Sequence, residues 1–351
     1  MKRYQYLALS TATALIILSA GTALATPPSG ITPVELARGT SAAAYTITAE
    51  ANREVATQTN TFEPGGSTSG WHTHPGPVVT IVQSGTLSLW FSTDCTLQTL
   101  TAGQAIVVPG GDMYDLGRNE SATEPLVLVQ TFYNVPVGGP LRTDAPEPQC
   151  TDADPAVPQD MAVAGVSGVL HARARVAPAI DIAGAANTDL LIQQLTADPS
   201  GTTGWHSHPG PVMVLVNSGT LTFMHDDCST TSYPSGTGFI DPGRGNVHLA
   251  RNDGAAPTIF FATYTDLPVG GPARIDASAP ACAAAPAATA TPVPAPAATP
   301  TPAGTGLPNT AAAEQSTPAF AELFAAMGAS LASLGAGSAL MVFARRRRQT
   351  G

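Results

Sequence analysis

Two histidine pairs, each of the form His-x-His, are the residues of this chain best suited to chemistry. His72 and His74 lie in residues 70–78, and the same pattern returns with its two histidines at residues 204–212. Side chains two positions apart on a β-strand point to the same face, so both imidazoles of a pair can bind one ion. Histidine nitrogen is a common ligand of transition metals. The sequence therefore predicts a divalent-metal site in each of two repeats.

Short strands and tight turns are expected to position these histidines. After the first pair, apolar runs over residues 78–82 and 87–91 flank a turn at Ser84, Gly85 and Thr86, and the same order follows the second pair. Short runs rich in Val, Leu and Thr and bounded by Gly or Pro are typical of strands. Neither repeat has a segment with a convincing helical period. We expect an all-β protein in which each repeat forms a small barrel.

A second motif with Pro and Gly follows in both repeats. It runs from Pro109 to Asn119 in the first repeat and from Pro242 to Asn252 in the second. His248 lies inside the second copy, and Asp115 stands at the matching place in the first copy. Each repeat therefore offers a third residue that can bind a metal.

Together these motifs resemble the two conserved motifs of cupin domains. In the first motif the matching residues are Gly66, His72, His74 and Gly85. In the second motif they are Gly236, Pro242, His248 and Asn252, and in the first repeat Gly103, Pro109, Gly111 and Asn119. The chain as a whole resembles a bicupin. The resemblance implies two tandem cupin-type β-barrels, also described as double-stranded β-helices or jelly rolls, over residues 26–150 and 151–282.

The resemblance also implies two sets of metal ligands. The second repeat offers three imidazoles, from His206, His208 and His248, and the first repeat offers His72, His74 and Asp115. Two histidines and one carboxylate form the facial arrangement associated with non-haem iron. Fe, Mn, Cu, Ni and Zn all remain candidates.

Two departures and two alternatives bear on these sites. The glutamate of the family motif, a further metal ligand in many cupins, is replaced by Val78 and Val212. Tyr114 competes with Asp115 if the loop before it shifts by one residue. The histidines could also be hydrogen-bonded residues of the barrel core that bind no metal.

The four cysteines indicate an oxidising compartment. Cys95 and Cys150 occupy the same places in the first repeat as Cys228 and Cys282 in the second. Four cysteines in a secreted chain suggest two disulfides, and they allow three pairings. Repeat symmetry favours Cys95 with Cys150 and Cys228 with Cys282. A structural zinc site is the alternative.

The two ends of the chain predict export and anchoring. Lys2 and Arg3 precede an apolar stretch, and Ala23, Leu24 and Ala25 form a small-x-small cleavage site, as in a secretory signal peptide over residues 1–25. Residues 283–312 are nearly all Ala, Pro and Thr, which predicts an extended spacer. Residues 319–344 form an apolar segment long enough to span a bilayer, and 345–351 form an arginine-rich cytoplasmic tail.

Before this apolar segment stands a short motif of Leu307, Pro308, Asn309, Thr310 and Ala311. The order of motif, apolar helix and arginine tail resembles the sorting signal of sortase-anchored bacterial surface proteins. The family pattern has Gly where this chain has Ala311. The resemblance implies a sortase and peptidoglycan as partners and places cleavage after Thr310. Without cleavage, the helix remains a membrane anchor, and the protein is displayed outside the cell in either case.

Charge and pocket chemistry limit the function. The formal net charge of −10, with no basic aromatic stripe, argues against nucleic-acid binding. Three ligands at a metal leave positions for a small molecule or O₂, which suits a metal-dependent oxygenase of the dioxygenase type. The alternatives are a non-catalytic cupin module that binds a small ligand or a metal, and a structural surface protein. The sequence does not decide whether the chain is an enzyme, and it names no substrate.

Overall fold

The computed structural model describes residues 26–150 and 157–283. The predicted signal peptide, nearly all of the spacer, the sorting motif with Leu307, Pro308, Thr310 and Ala311, the apolar anchor and the arginine tail lie outside these residues. The described part of the chain consists of strands, turns and bends without a helix. The prediction of an all-β fold is therefore confirmed for this part. It contains no helix that could cross a membrane.

Residues 26–150 contain twelve strands. They are β1 (Ser29–Ser41), β2 (Tyr45–Ala49), β3 (Arg53–Phe62), β4 (Ser67–Thr68), β5 (His72–Thr73), β6 (Val78–Ser84), β7 (Thr86–Phe91), β8 (Leu97–Thr101), β9 (Gln104–Val108), β10 (Asp115–Asn119), β11 (Leu126–Val135) and β12 (Thr143–Asp144).

Residues 157–283 contain eleven strands, in nearly the same order. They are β13 (Val166–Val176), β14 (Ile180–Gly184), β15 (Thr188–Thr202), β16 (His206–Ser207), β17 (Val212–Ser218), β18 (Thr220–His225), β19 (Thr230–Pro234), β20 (Thr237–Asp241), β21 (His248–Arg251), β22 (Thr258–Leu267) and β23 (Ile275–Asp276).

Each half folds as two facing sets of strands around its own core. In the first half, β9, β6, β11 and β3 form one sheet, and β12, β5, β10, β7 and β8 form the other. In the second half β20, β17, β22 and β15 correspond to the first set and β23, β16, β21, β18 and β19 to the second, and a pairing of β15 with β21 joins the two sets into one sheet. Inward side chains alternate with outward ones along each strand, as in cupin-type jelly rolls.

The two halves exchange their first strands. β1 of the first half pairs antiparallel with β15 of the second, and β13 of the second half pairs antiparallel with β3 of the first. Matching ion pairs fasten the exchanged strands: Arg38 contacts Asp189 at 2.7 Å, and Arg173 contacts Glu54 at 2.5 Å. Each barrel therefore includes a strand from the other repeat.

Besides the core inside each barrel, an apolar cluster shared by both halves joins the barrels. It contains buried side chains of both halves, among them Val79 and Ile81 from β6, and Met213 and Leu215 from β17. Burial of apolar side chains stabilises by roughly 25 cal/mol per Å² removed from water, so a shared core of this kind links the folding of the two halves. Residues 26–150 and 157–283 consequently form one compact unit.

Candidate metal centres

Adjacent short strands bring the first predicted set of ligands together. His72 begins β5, Asp115 begins β10, and the two residues face each other in the antiparallel register. His74 follows β5 by one residue and shares the inward face of His72. All three side chains are buried.

A backbone contact between the two motifs fixes this arrangement in both barrels. The amide of Gly111 donates to the carbonyl of His74 at 2.8 Å, and the amide of Arg244 donates to the carbonyl of His208 at 2.7 Å. At Gly243 an added Cβ would lie 1.9 Å from the carbonyl oxygen of Gly210. Only glycine permits this approach, which explains why Pro-Gly follows the last strand before the third ligand.

In the first barrel the three side chains converge on one point. Nε2 of His72 lies 3.1 Å from Nε2 of His74. The two oxygens of Asp115 lie 3.6 Å from Nε2 of His72 and 3.8 Å from Nε2 of His74. Atoms this close can contact one ion at about 2.1 Å, the usual length of a bond from a metal to an imidazole nitrogen.

Backbone carbonyls determine which nitrogen of each ring carries the proton. Nδ1 of His72 donates to the carbonyl of Gly70, and Nδ1 of His74 donates to the carbonyl of Leu141, both at 2.9 Å. A carbonyl can only accept, so in the neutral rings both Nε2 atoms carry lone pairs. These lone pairs face each other in a buried site, and a shared cation would remove their repulsion.

Burial shifts the titration of all three groups. It lowers the pKa of His72 and of His74 to about 4, which keeps both rings neutral at neutral pH. Burial also raises the pKa of Asp115 to about 6. One oxygen of Asp115, Oδ2, is buried without a hydrogen-bond partner in the described residues. The donor set fits a divalent metal, which would accept the histidine lone pairs and pair with this carboxylate.

The second barrel has the corresponding three imidazoles. His206 on β16 faces His248 on β21 in the register, and the ring of His208 lies 4.8 Å from that of His206 and 5.2 Å from that of His248. The ligand nitrogens all lie within 4.8 Å of one another.

The three Nδ1 atoms again donate to backbone carbonyls. Their acceptors are Gly204 at 2.8 Å, Ala273 at 2.6 Å and Asn246 at 3.1 Å. Three Nε2 lone pairs therefore point inward. Burial lowers the pKa of His206 to about 2 and that of His248 to about 4, and it also lowers the pKa of His208.

Asp241 adds a carboxylate to this site, one that was not identified from the sequence. It is the last residue of β20, and its Oδ2 lies 3.5 Å from Nε2 of both His208 and His248. The matching residue of the first barrel is Val108, which pairs with Val78 as Asp241 pairs with Val212. The sequence did contain one indication of this role: the strand before the third ligand ends in a charged residue in the second repeat and in an apolar residue in the first.

A cavity of about 240 Å³ adjoins the ligands of the first barrel. One wall is polar and consists of a hydrogen-bonded row across β3, β11 and β6: Gln58 donates to Asn60 at 2.5 Å, Asn60 to Gln130 at 2.6 Å, and Gln130 to Thr80 at 2.9 Å. We call these four residues the amide row. The remaining walls are mainly apolar, with Phe62, Leu87, Leu89, Leu128, Phe132 and Val166.

The second barrel lacks this polar wall. Strand register places Leu195, Val214 and Ala262 where the first barrel has Asn60, Thr80 and Gln130. The space among these side chains is about 40 Å³. A cavity of about 310 Å³ also adjoins His206 and His208, and it is lined by Pro28, Ile31 and Pro33 of the exchanged N-terminal segment. The two sites therefore have different surroundings.

The remaining predicted residues have clear positions. Tyr114 packs beside the cluster that contains Trp71 and Trp90, and it does not line the cavity that adjoins His72, His74 and Asp115. The structure contains the disulfides Cys95–Cys150 and Cys228–Cys282, the pairing that repeat symmetry favours, and the described residues include no free cysteine. This excludes the alternative zinc site at the cysteines. That the six residues of the two triads bind metal remains a prediction.

Comparison with known proteins supports the fold of the first barrel. Residues 59–132 match the family described as the cupin domain. A search of the curated proteins found no match. The first repeat therefore contains a cupin domain.

Several solved structures match parts of this chain. A cupin 2 conserved barrel domain protein from Leptotrichia buccalis is 10% identical, with 67% of this chain and 96% of that chain covered and a TM-score of 0.24. A protein with a double-stranded β-helix domain from Klebsiella pneumoniae is 24% identical over 25% of this chain and 75% of that one, with a TM-score of 0.23. A Bacillus subtilis oxalate decarboxylase with Mn(II) centres is 13% identical, with 69% of this chain and 80% of that chain covered and a TM-score of 0.29. At these low scores the similarities say nothing about what this chain binds or catalyses.

Proposed function

We propose that this chain, with a cupin domain in its first repeat, is an extracellular, surface-anchored bicupin that binds a divalent transition metal in each barrel. We further propose that the first barrel is a metal-dependent oxygenase centre that takes up a small organic molecule. The observation that carries the proposal is the convergence of His72, His74 and Asp115, all buried, with both Nδ1 atoms held by backbone carbonyls. Two histidines and a carboxylate are the donors used by non-haem iron oxygenases.

A bound metal would supply Lewis acidity and, as iron, manganese or copper, one-electron chemistry. His72 and His74 would hold it as neutral donors, and Asp115 would offset one of its charges. Among the described residues that line the cavity, Arg142 is the one other titratable group. Its guanidinium donates to the carbonyl of Ser69 at 2.7 Å and pairs with Asp144. The cavity thus has no separate carboxylate or imidazole base among these residues, which favours chemistry centred on the metal.

The amide row indicates the kind of molecule that would enter. Each of its three amide nitrogens uses one hydrogen within the row, which leaves a second hydrogen for a ligand. Neutral amide donors suit carbonyl or hydroxyl oxygens, and the apolar walls suit a hydrocarbon or aromatic body. A small, largely apolar molecule with oxygen substituents along one edge fits this cavity of about 240 Å³.

The experiment uses nitric oxide as a substitute for O₂. Residues 26–283 carrying His206→Ala and His208→Ala, which disable the second site, are loaded with Fe(II) without oxygen and exposed to nitric oxide. We expect the EPR signal of an iron–nitrosyl complex, because three protein ligands leave open positions on the iron. Addition of His72→Ala and His74→Ala should abolish the signal. Iron that is bound but gives no nitrosyl signal would contradict the oxygenase proposal and favour a non-catalytic binding module.

The extracellular location is supported by the signal-like N-terminus, the spacer and the apolar C-terminal segment, together with the two disulfides. Treatment of intact cells with an added protease should release both barrels. Barrels that stay protected until the cells are lysed would contradict surface display. Deletion of residues 307–311 would then separate wall linkage from retention by the membrane helix.

A further inference from the structure

The second barrel holds a buried carboxylate beside its three histidines. Asp241 is 2% exposed. Its Oδ2 lies 3.5 Å from Nε2 of His208 and 3.5 Å from Nε2 of His248. These are the same nitrogens that Nδ1 hydrogen bonds leave with inward lone pairs.

The two oxygens of Asp241 have different surroundings. Oδ1 accepts hydrogen bonds from the amide of Gly243 at 3.1 Å and from the side chain of Asn246 at 3.2 Å. Oδ2 is buried and has no hydrogen-bond partner among the described residues. An unpaired carboxylate oxygen away from water is costly, and a bound cation would offset that cost. Oδ1 thus fixes the orientation of the carboxylate and leaves Oδ2 facing the histidines.

Strand register explains how Asp241 reaches this position. It pairs directly with Val212 of the neighbouring strand, the residue that replaces the glutamate of the cupin motif. Side chains that face each other across antiparallel strands lie on the same face of the sheet, about 5 Å apart at Cβ. A carboxylate at Asp241 can therefore reach the space that a glutamate at position 212 would enter.

We propose that Oδ2 of Asp241 is a fourth protein ligand to the metal of the second barrel, in place of the glutamate that this chain lacks. The inference rests on the proposed metal site in that barrel. The second site would then have three imidazoles and a carboxylate, whereas the first has two imidazoles and a carboxylate. More protein ligands leave fewer open positions, so the second metal would be held more tightly than the first and would have fewer positions for a small molecule.

The test measures binding of Co(II) to the second site alone. Residues 26–283 carry His72→Ala and His74→Ala in all samples, and Co(II) is titrated by calorimetry and by its visible absorption. Asp241→Asn keeps the shape of the side chain and removes its charge. We expect it to weaken Co(II) binding by at least about tenfold and to shift the absorption bands, since even indirect partners of metal ligands change affinity by about 10–100-fold.

A matched control and a rescue separate ligation from folding. Asp189→Asn removes another buried carboxylate of the same half, one that binds Arg38 and Thr40, and it should leave Co(II) affinity and spectrum unchanged. Asp241→Val with Val212→Glu moves the carboxylate across the strand pair and should restore binding that Asp241→Val alone loses.

Two results would overturn the inference. If Asp241→Asn binds Co(II) with unchanged affinity and spectrum, Asp241 is not a ligand, although the three-histidine site stands. If the parent with an intact second site binds no Co(II), the proposed metal site of the second barrel fails as well.

Discussion

At the scale of single residues, the sites depend on ring nitrogens that are kept neutral. Backbone carbonyls accept from Nδ1 of all five clustered histidines, and burial keeps their pKa values below the ordinary 6.5. A metal competes with protons for the free nitrogen, so rings that resist protonation bind metal over a wider pH range. The fold thus prepares the histidines as ligands.

The lowered pKa values of the histidines determine how stability depends on pH in the metal-free protein. The unfolded chain takes up protons at His72 and His74 below pH 6.5, whereas the folded chain does so only near pH 4. The free energy of unfolding should therefore fall as pH falls between these values, by about 2 kcal/mol per histidine at pH 5. Asp115 acts in the opposite direction. Its pKa is raised to about 6, so at pH 5 the folded form binds a proton that the unfolded form does not. This stabilises the folded form and offsets about 1 kcal/mol of the loss caused by the two histidines.

Urea unfolding of metal-free protein between pH 7 and pH 5 measures this dependence. Replacement of His72 and His74 by Gln, which does not titrate, should make the fall shallower by the contribution of these two residues, while His206, His208 and His248 retain theirs. A curve for the parent protein that is level or rises towards pH 5 would contradict the assignment of neutral, buried histidines.

At the scale of elements, the sequence predicted those features that depend on local pattern. The two triads, the strand pair around Gly85 and both disulfides follow from motifs and repeat symmetry, and the structure has each of them. Asp241 was missed, because its role depends on its register opposite Val212 in another strand.

The amide row was missed for a related reason. In the sequence, Gln58 and Asn60 are two polar residues of a strand with no motif around them. They form a row with Gln130 and Thr80 only because β3, β11 and β6 pair in this register. An alignment of the two repeats offers a signal, since three of these four positions are apolar in the second barrel. The sequence could not predict the exchange of β1 and β13. Both strands alternate buried and less buried residues in their second halves, and this pattern suits the edge of either barrel.

At the scale of the whole molecule, the two barrels are interdependent and chemically different. Exchanged strands and a shared apolar core join them, and each cavity is lined partly by the other repeat: Val163, Val166 and Gly168 line the first, and Pro28, Ile31 and Pro33 line the second. Duplication has therefore produced one body with two unlike sites. The first has a polar wall beside its ligands, and the second has an additional carboxylate and apolar side chains in place of that wall.

Metal content shows whether each barrel binds its own divalent metal. Residues 26–283 are purified without a metal-binding tag, loaded with Mn(II) or Fe(II), desalted and measured by elemental analysis. Parallel samples carry the pair His72→Ala and His74→Ala, the pair His206→Ala and His208→Ala, or all four changes. We expect two equivalents in the parent, one in each paired variant and none in the fourfold variant. No bound metal in a folded parent, or a content that the histidine changes leave unaltered, would contradict this expectation.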